Sequence, residues 1–172
     1  MFSIVMTPRE ARLLLRGYFV KKGATFMSIE DNKAIARRGF EEVFTHKNVT
    51  VLDKLAVADF TFHSASRTIQ GREAVKQFLK MFLTAFPDLS LTIEDLIGEG
   101  DCVSIRYTNR GTHQAPFMGM APTGKSITVT GLEFLHLANG KVIEEWINED
   151  FLEQLGVVAA PAQASPSVKG ES

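Results

Sequence analysis

The order of apolar and polar positions along the chain predicts helices in its first half and strands in its second. Apolar side chains recur at helical spacing over residues 28–45, after the N-cap Ser28, and again over 71–86, where Pro87 ends the pattern. From Leu89 onward the spacing changes to the two-residue alternation of β-strands. This order is typical of an α+β fold, in which helices pack on one face of a curved sheet.

A turn signal near the C-terminal end predicts how the last two strands pair. Asn139-Gly140 is typical of a type I′ hairpin turn, in which both central residues need a positive φ. The last strand therefore begins at Lys141 and runs antiparallel to the strand before it. The other predicted elements are a short helix over 50–56 and strands over 60–63, 89–97, 102–113 and 126–137.

Length and charge are those of a single globular domain, which we place at residues 28–156. A chain of 172 residues is long enough to bury a sizeable core. The formal net charge of -1 gives no attraction to nucleic acid or to an anionic membrane. No stretch reaches the ~18 consecutive apolar residues of a membrane span. We therefore expect a cytoplasmic protein with no nucleic-acid or membrane partner.

The two ends of the chain fall outside this predicted domain. Residues 1–27 are basic and apolar, and we predict an N-terminal extension there. Residues 1–26 are either an Arg-rich organelle presequence or a segment upstream of a start at Met27. The second explanation is favoured because a helix start follows Met27 at once. Residues 157–172 are rich in Ala, Pro, Ser and Gly, and we predict a disordered tail.

Cysteine and histidine positions give no indication of a metal site. The single cysteine, Cys102, leaves no internal disulfide and no zinc-ribbon pair. The four histidines lack the i, i+4 spacing of a helical metal-binding pair. We therefore expect no bound metal.

The last strand carries the most informative face in the sequence. Strict alternation places Val142, Glu144, Trp146, Asn148 and Asp150 on one side of it. A solvent-exposed face does not need the Trp, and a core face would not carry two carboxylates. A pocket with apolar walls and an acid at its rim uses both, so we expect the chemistry here.

The predicted hairpin also assigns partners across its two strands. With a two-residue loop, Glu133 faces Trp146 and joins its side of the sheet. His136 then points to the other side. A β-bulge would reverse this assignment, so His136 stays a candidate for the pocket.

Several short motifs occur in an order and spacing that point to one family. They are Phe-Glu-Glu-Val-Phe at 40–44, Gly-Arg-Glu-Ala at 71–74, Phe-Pro-Asp at 86–88, Gly-Thr-His at 111–113, Pro-Thr-Gly-Lys at 122–125, Gly-Lys-Val at 140–142, Trp146, Asp150 and Gln-Leu-Gly at 154–156. Together they resemble the SnoaL-like polyketide cyclases, also called ester cyclases, of the nuclear transport factor 2-like superfamily. The resemblance covers about residues 28–156.

The resemblance implies a cone-shaped α+β barrel, with a curved antiparallel sheet closed by the N-terminal helices, in a homodimer or higher homo-oligomer. It implies an aldol-type ring closure of a polyketide-like carbonyl compound without metal or organic cofactor. The family's catalytic acid lies near the end of the last strand and matches Asp150. The superfamily also contains ketosteroid-isomerase-like enzymes, epoxide hydrolases and proteins without proven activity, which remain alternatives.

Three side chains are candidates for the chemistry, and each has a structural alternative. Asp150 acts as acid and base, or it caps the helical turn that follows it. His113 lies where a strand meets a loop, and it either orients a substrate carbonyl or fastens its own loop. His63, on the early strand, has the same two explanations.

The high Phe content suits a pocket for a small hydrophobic carbonyl compound. The loop 117–120 is apolar and contains a glycine, so it either forms a lid over a ligand or packs in a core or dimer contact. We predict a cyclase, with an isomerase, an epoxide hydrolase and a non-catalytic binding or oligomerising scaffold as alternatives. The predicted pocket residues are Phe40, Phe44, Phe62, Phe78, Phe82, Phe117, Met118, Met120, Glu133, His136, Glu144, Trp146 and Asn148.

Overall fold

A computed structural model describes residues 27–65 and 67–156 of the chain. The expectations for residues 1–26 and for the tail 157–172 lie outside the described residues. No helix within the described part is long and apolar enough to cross a membrane.

The described residues form an α+β fold, as predicted. The α-helices are α1 Ile29–Phe40, α2 Leu52–Leu55, α3 Arg72–Ala85 and α4 Phe151–Gln154. The strands are β1 Ala56–Ser64, β2 Arg67–Gln70, β3 Ser90–Glu99, β4 Cys102–Thr112, β5 Ser126–Ala138 and β6 Lys141–Glu149. A π-helical turn, Glu41–Thr45, extends α1, and a 3-10 turn, Val49–Val51, precedes α2. Strand β2 was not predicted, because it has only four residues and no distinctive pattern.

Helix α1 begins where its capping signal predicts. The Asp31 amide donates to Ser28 Oγ at 3.1 Å, and the Ser28 amide donates to the Asp31 carboxylate at 3.0 Å, which together form a capping box. Ala36 and Phe40 of this helix are buried in the main core, together with side chains of the sheet. The helix therefore covers the inner face of the sheet, where the cavity described below lies.

The six strands form one curved sheet that does not close on itself, in the order β2-β1-β6-β5-β4-β3. All neighbouring strands are antiparallel except β1 and β6, which run parallel. The expectation of a wholly antiparallel sheet is therefore wrong at this one pair. Strands β1 and β6 are joined by the long segment 65–140 rather than by a hairpin, so no short turn forces them to be antiparallel.

The hairpin between β5 and β6 contains a β-bulge that reverses the predicted faces of the last strand. The turn is as predicted, since Asn139 and Gly140 have φ values of 51° and 74°. Leu137 pairs with Val142, but the next pair is His136 with Glu144, so β6 carries one extra residue. Beyond the bulge every β6 side chain changes face.

The predicted pairing of Glu133 with Trp146 is therefore wrong. Glu133 pairs with Ile147, and Trp146 pairs with Phe134 on the outer face of the sheet. Trp146 is 38% exposed there. The residues that share its face through their pairing are Phe134, His136, Glu144 and Asn148, and the inner face of β6 instead carries Glu145, Ile147 and Glu149.

Candidate active site

A cavity of about 410 Å³ lies between the helices and the inner face of the sheet. Helices α1, α2 and α3 and the π-helical turn contribute only apolar residues to its wall. Its size falls within the range of small-molecule sites, which are typically ~300–1,000 Å³. The predicted pocket residues that line it are Phe40, Phe44, Phe62, Phe78, Phe82, Phe117, Met118 and Glu133.

Other predicted pocket residues do not line this cavity. Glu144, Trp146, Asn148 and His136 lie on the outer face, because the bulge reverses the last strand. Met120 packs at the edge of a second apolar cluster, and its backbone is hydrogen-bonded to that of Phe117. The loop 117–120 therefore contributes Phe117 and Met118 to the wall.

A group of carboxyl side chains forms one polar part of the cavity wall. Glu133 on β5 is 3% exposed and shares a hydrogen bond with Glu145 on β6. Tyr107 on β4 is 1% exposed, and its hydroxyl donates to Glu149 Oε2 at 2.9 Å. All four residues line the cavity. We call Tyr107, Glu133, Glu145 and Glu149 the carboxyl wall.

The surroundings of the carboxyl wall favour the protonated form of its carboxyl groups. Burial, followed by the charge of Glu145, raises the pKa of Glu133 well above its ordinary value. Burial also raises the pKa of Glu145, although its hydrogen bond with Glu133 opposes that shift. Burial raises the pKa of Glu149 in the same way, and the nearby charge of Asp150 adds to the shift. Two carboxyl groups in contact share a proton, because ionising both of them would place two negative charges side by side.

A glycine on the central strand makes this wall possible. Gly131 lies between Tyr107 on β4 and Glu149 on β6 in the strand register. A Cβ atom at position 131 would come within 2.9 Å of Tyr107 Cε1 and closer still to Cζ and Oη. The Tyr107 ring therefore crosses β5 directly over Gly131 to reach Glu149.

Asp150 follows β6 where the chain leaves the sheet, and it lines the cavity. Its Oδ2 accepts a hydrogen bond from Gln154 Nε2 at 3.0 Å, within the terminal helical turn. Its Oδ1 is buried and has no hydrogen-bond partner in the protein. One oxygen thus bonds a side chain of the terminal turn, and the other has no protein partner.

His113 is fully buried but does not line the cavity. Its ring stacks on Phe86 with centroids 5.2 Å apart. The Thr123 amide donates to His113 Nδ1 at 3.3 Å, and the Thr123 hydroxyl lies 3.2 Å from the same atom. These contacts fit the loop-fastening alternative, because they tie the end of β4 to the loop before β5.

His63 lies on the outer face of the sheet, away from the cavity lining. Its Nε2 lies 2.9 Å from Glu144 Oε1, and its Nδ1 lies 3.2 Å from Thr68 Oγ1. The ring stacks on Trp146 at a centroid distance of 5.2 Å and an interplanar angle of 12°. The structure therefore gives His63 a set of outer-face partners rather than a place beside the cavity.

Sequence reasoning missed six polar residues of the cavity wall, namely Ser64, Arg67, Tyr107, Asn109, Glu145 and Glu149. Glu145 and Glu149 were assigned to the opposite face of β6, because alternation cannot reveal the bulge. Tyr107 and Asn109 lie in the predicted strand 102–113, in alternation with Val103 and Ile105, and that alternation is the signal that places them inside. Within the described residues, no three His, Cys, Asp or Glu side chains are arranged to hold a metal ion.

Comparison with known proteins identifies the family. The model of the SnoaL-like polyketide cyclases matches residues 34–156. The chain therefore belongs to the SnoaL-like polyketide cyclase family. No curated protein sequence matches it.

Solved structures share the fold over most of the chain. A proposed SnoaL-like polyketide cyclase from Jannaschia sp. CCS1 is 25% identical, with a TM-score of 0.71 over 80% of this chain and 99% of that one. AclR from Streptomyces galilaeus, a proposed hydroxylase, is 27% identical, with a TM-score of 0.66 over 77% and 100%. IdmH from Streptomyces antibioticus, a proposed polyketide cyclase, is 27% identical, with a TM-score of 0.60 over 73% and 96%.

Proposed function

We propose that this protein catalyses an aldol-type ring closure of a hydrophobic carbonyl compound in the cavity, with Asp150 as acid and base and without a cofactor. The observation that carries the proposal is the free, buried Oδ1 of Asp150 on the wall of an apolar cavity. A carboxylate oxygen without a protein partner is able to accept a proton from a bound ligand. Family membership supports the reaction class.

The reaction needs only one acid/base group if that group acts twice. The Asp150 carboxylate takes a proton from the carbon next to a carbonyl group, which leaves an enolate. The enolate carbon forms a bond to a second carbonyl carbon of the same molecule, whose oxygen becomes an alkoxide. The alkoxide then takes the proton back from Asp150, so the enzyme ends as it began.

The cavity wall supplies what the carboxylate alone does not. Aromatic side chains surround the ligand and fix the distance between its two reacting carbons. The ligand therefore loses conformational freedom when it binds, and this entropy loss no longer adds to the barrier of the reaction. Low polarity around the enolate strengthens each directed interaction with it. The phenylalanine side chains of the lining are Phe40, Phe44, Phe60, Phe62, Phe78, Phe82, Phe117 and Phe151.

The test is a ligand and turnover screen of wild type, Asp150→Asn and Glu144→Gln. Anthraquinone-like, steroid and terpene ketones are screened by thermal shift, and those that bind are then analysed for products by mass spectrometry. Glu144→Gln is the matched control, because it also removes a carboxylate but lies on the outer face. We expect ligands to stabilise all three proteins and only wild type and Glu144→Gln to form product. A ligand converted equally by Asp150→Asn would contradict the role of Asp150.

A second candidate activity is hydrolysis of an epoxide or isomerisation of a ketone in the same cavity. Epoxide opening needs a protonated acid near a base that activates water. Glu149, with its raised pKa, adjoins Asp150 and supports that arrangement. A diol product with one added oxygen from labelled water would favour the hydrolase, and an unchanged carbon skeleton with a moved double bond would favour the isomerase.

The homo-oligomer implied by the family also remains a proposal, with the outer face of the sheet as the contact between two copies. Three apolar side chains are exposed there: Leu132 at 53%, Phe134 at 43% and Trp146 at 38%. We expect Phe134→Lys to lower the mass found by light scattering to that of one chain. Met81→Lys is the control, because Met81 is 56% exposed on helix α3 and away from the sheet. An unchanged mass in Phe134→Lys would place the contact elsewhere.

A further inference from the structure

Three cavity-lining residues carry buried oxygen atoms that have no hydrogen-bond partner. They are Asn109 Oδ1, Glu133 Oε2 and Asp150 Oδ1. Asn109 is 4% exposed and Glu133 is 3% exposed. Asn109 Oδ1 is an acceptor, as are the two carboxyl oxygens when their groups are ionised, and a buried acceptor without a donor is costly to the folded protein. With the carboxyl groups ionised, the wall therefore lacks hydrogen-bond donors rather than acceptors.

The carboxyl groups of the same wall have no cation paired with them. Burial raises the pKa of Glu133, Glu145 and Glu149, the charges of Glu145 and Glu149 add to the shift at Glu133, and the charge of Asp150 adds to the shift at Glu149. No basic side chain is among the causes of these shifts. Among the described residues of the lining, the one basic side chain is Arg67 on β2, whose guanidinium lies over the Phe78 ring at 5.3 Å.

The other groups that face this wall do not supply a cation either. Strand β4 contributes Tyr107, whose hydroxyl already donates to Glu149. The helical segments α1, α2 and α3 contribute only apolar residues to the lining. Nothing described on the opposite side of the cavity therefore neutralises the carboxyl groups.

We propose that this acceptor-rich wall binds a protonated amine, so that the ligand of the cavity is a hydrophobic molecule that carries an ammonium group. An ammonium group brings N–H donors for unpartnered acceptors of the wall, and it brings the positive charge that no side chain beside the carboxyl groups supplies. A hydroxyl group brings one donor and no charge. The apolar remainder of the ligand then contacts the Phe side chains of the opposite wall.

The inference rests on the proposed use of the cavity as a ligand site, but it does not need ring closure to be the reaction. It names a feature of the substrate class, namely a basic nitrogen on a hydrophobic carbonyl compound. Binding and turnover are measured separately, so the two proposals fail separately.

The first experiment compares three probes of one shape by isothermal titration calorimetry at pH 8. They are 2-naphthylmethylamine, 2-naphthylmethanol and 2-naphthoic acid, which are cationic, neutral and anionic. We expect the amine to bind at least tenfold more tightly than the alcohol and the acid to bind least. Equal or tighter binding of the alcohol would overturn the proposal, and so would a preference for the acid.

Variants of the carboxyl wall test whether it causes the preference for the amine over the alcohol. We expect Glu133→Gln or Glu145→Gln to reduce the amine-over-alcohol ratio by about tenfold while leaving alcohol binding in place, which shows that the cavity is intact. Glu144→Gln is the matched control, since it adjoins Glu145 in the chain but faces outward. A ratio that is unchanged in both wall variants would overturn the proposal.

Proton release gives a readout that a merely structural role would not change. An ammonium group favours ionised carboxyl groups, so its binding near pH 7 should expel protons held by the carboxyl wall. Isothermal titration calorimetry in two buffers with different ionisation enthalpies measures the number of protons released per bound ligand. We expect this number to be positive for the amine and zero for the alcohol. No release with the amine would count against the proposal. Amine binding without any ketone conversion would leave the site standing and remove the ring-closure proposal.

Discussion

Replacement of Gly131 by alanine tests the geometry that builds the carboxyl wall. The added methyl group would occupy the space of the Tyr107 ring atoms Cε1, Cζ and Oη. Position 131 is on the central strand β5, between β4 and β6, so the backbone has little freedom to move away. The ring has to leave its place over the strand, and its hydroxyl then loses Glu149.

Two effects set the size of the loss in unfolding free energy. Overfilling a packed core costs about 1–3 kcal/mol. The hydrogen bond of 2.9 Å from Tyr107 to Glu149 contributes about 1–2 kcal/mol, between the values for neutral and charged partners. We therefore expect Gly131→Ala to destabilise the protein by about 2–5 kcal/mol. That loss is a large part of the ~5–15 kcal/mol stability of a typical domain.

Urea denaturation of a double-mutant cycle measures this coupling. Tyr107→Leu removes the ring atoms that an alanine at 131 would meet, so in that background Gly131→Ala should cost less than about 0.5 kcal/mol. The difference between the two costs should be at least about 1.5 kcal/mol. If alanine at 131 costs the same in both backgrounds, the Tyr107 ring does not lie over this glycine and the account of the wall is wrong.

Three further substitutions test the wall and the helices beside it. Because the pKa of Glu133 is raised above its ordinary value of 4.5, its ionisation lowers stability as pH rises from about 4.5 through the folded-state pKa. Glu133→Gln should therefore gain stability relative to wild type from pH 5 to pH 8, and Glu99→Gln, at an exposed position, is the control. Gly39→Ala in α1 meets only Leu55 Cδ1 at 3.7 Å and should stabilise the protein by about 0.5–1 kcal/mol. Gly71→Ala, at a φ of 92°, should destabilise it. Thermal melts that reverse the order of the two glycine variants would contradict this reasoning.

Local signals in the sequence were sufficient to predict most of the helices and strands. The capping box at Ser28 and the apolar spacing after it predict α1, and Asn139-Gly140 predicts the final turn. These features depend on residues close together in the chain, whose side chains act directly on the backbone. Phe40, Phe44, Phe78 and Phe82, which line the cavity, follow from the same helical spacing.

The inner polar wall could not be predicted, because it depends on one extra residue in β6. The bulge lies between Val142 and Glu144, where no Gly, Pro or Asn marks it in the sequence. One inserted residue exchanges Glu144 and Trp146 for Glu145 and Ile147 on the inner face. The parallel pairing of β1 with β6 joins two strands that the long segment 65–140 separates, and no local signal encodes it.

Asp150 is placed at the cavity for a different reason. It follows the last residue of β6, where the chain turns into α4, so alternation along the strand no longer decides its direction. The predicted face of β6 is wrong beyond the bulge, so it is not the reason that Asp150 lines the cavity.

The measurement that most directly tests the central claim is hydrogen exchange at the carbon next to a ketone. 2-Tetralone, a hydrophobic ketone, is incubated with the protein in deuterated water, and loss of its α-proton signals is followed by NMR. We predict that wild type and Glu144→Gln accelerate this exchange, and that Asp150→Asn binds the ketone without accelerating it. Exchange by Asp150→Asn at the wild-type rate would show that another group takes the proton and would contradict the account.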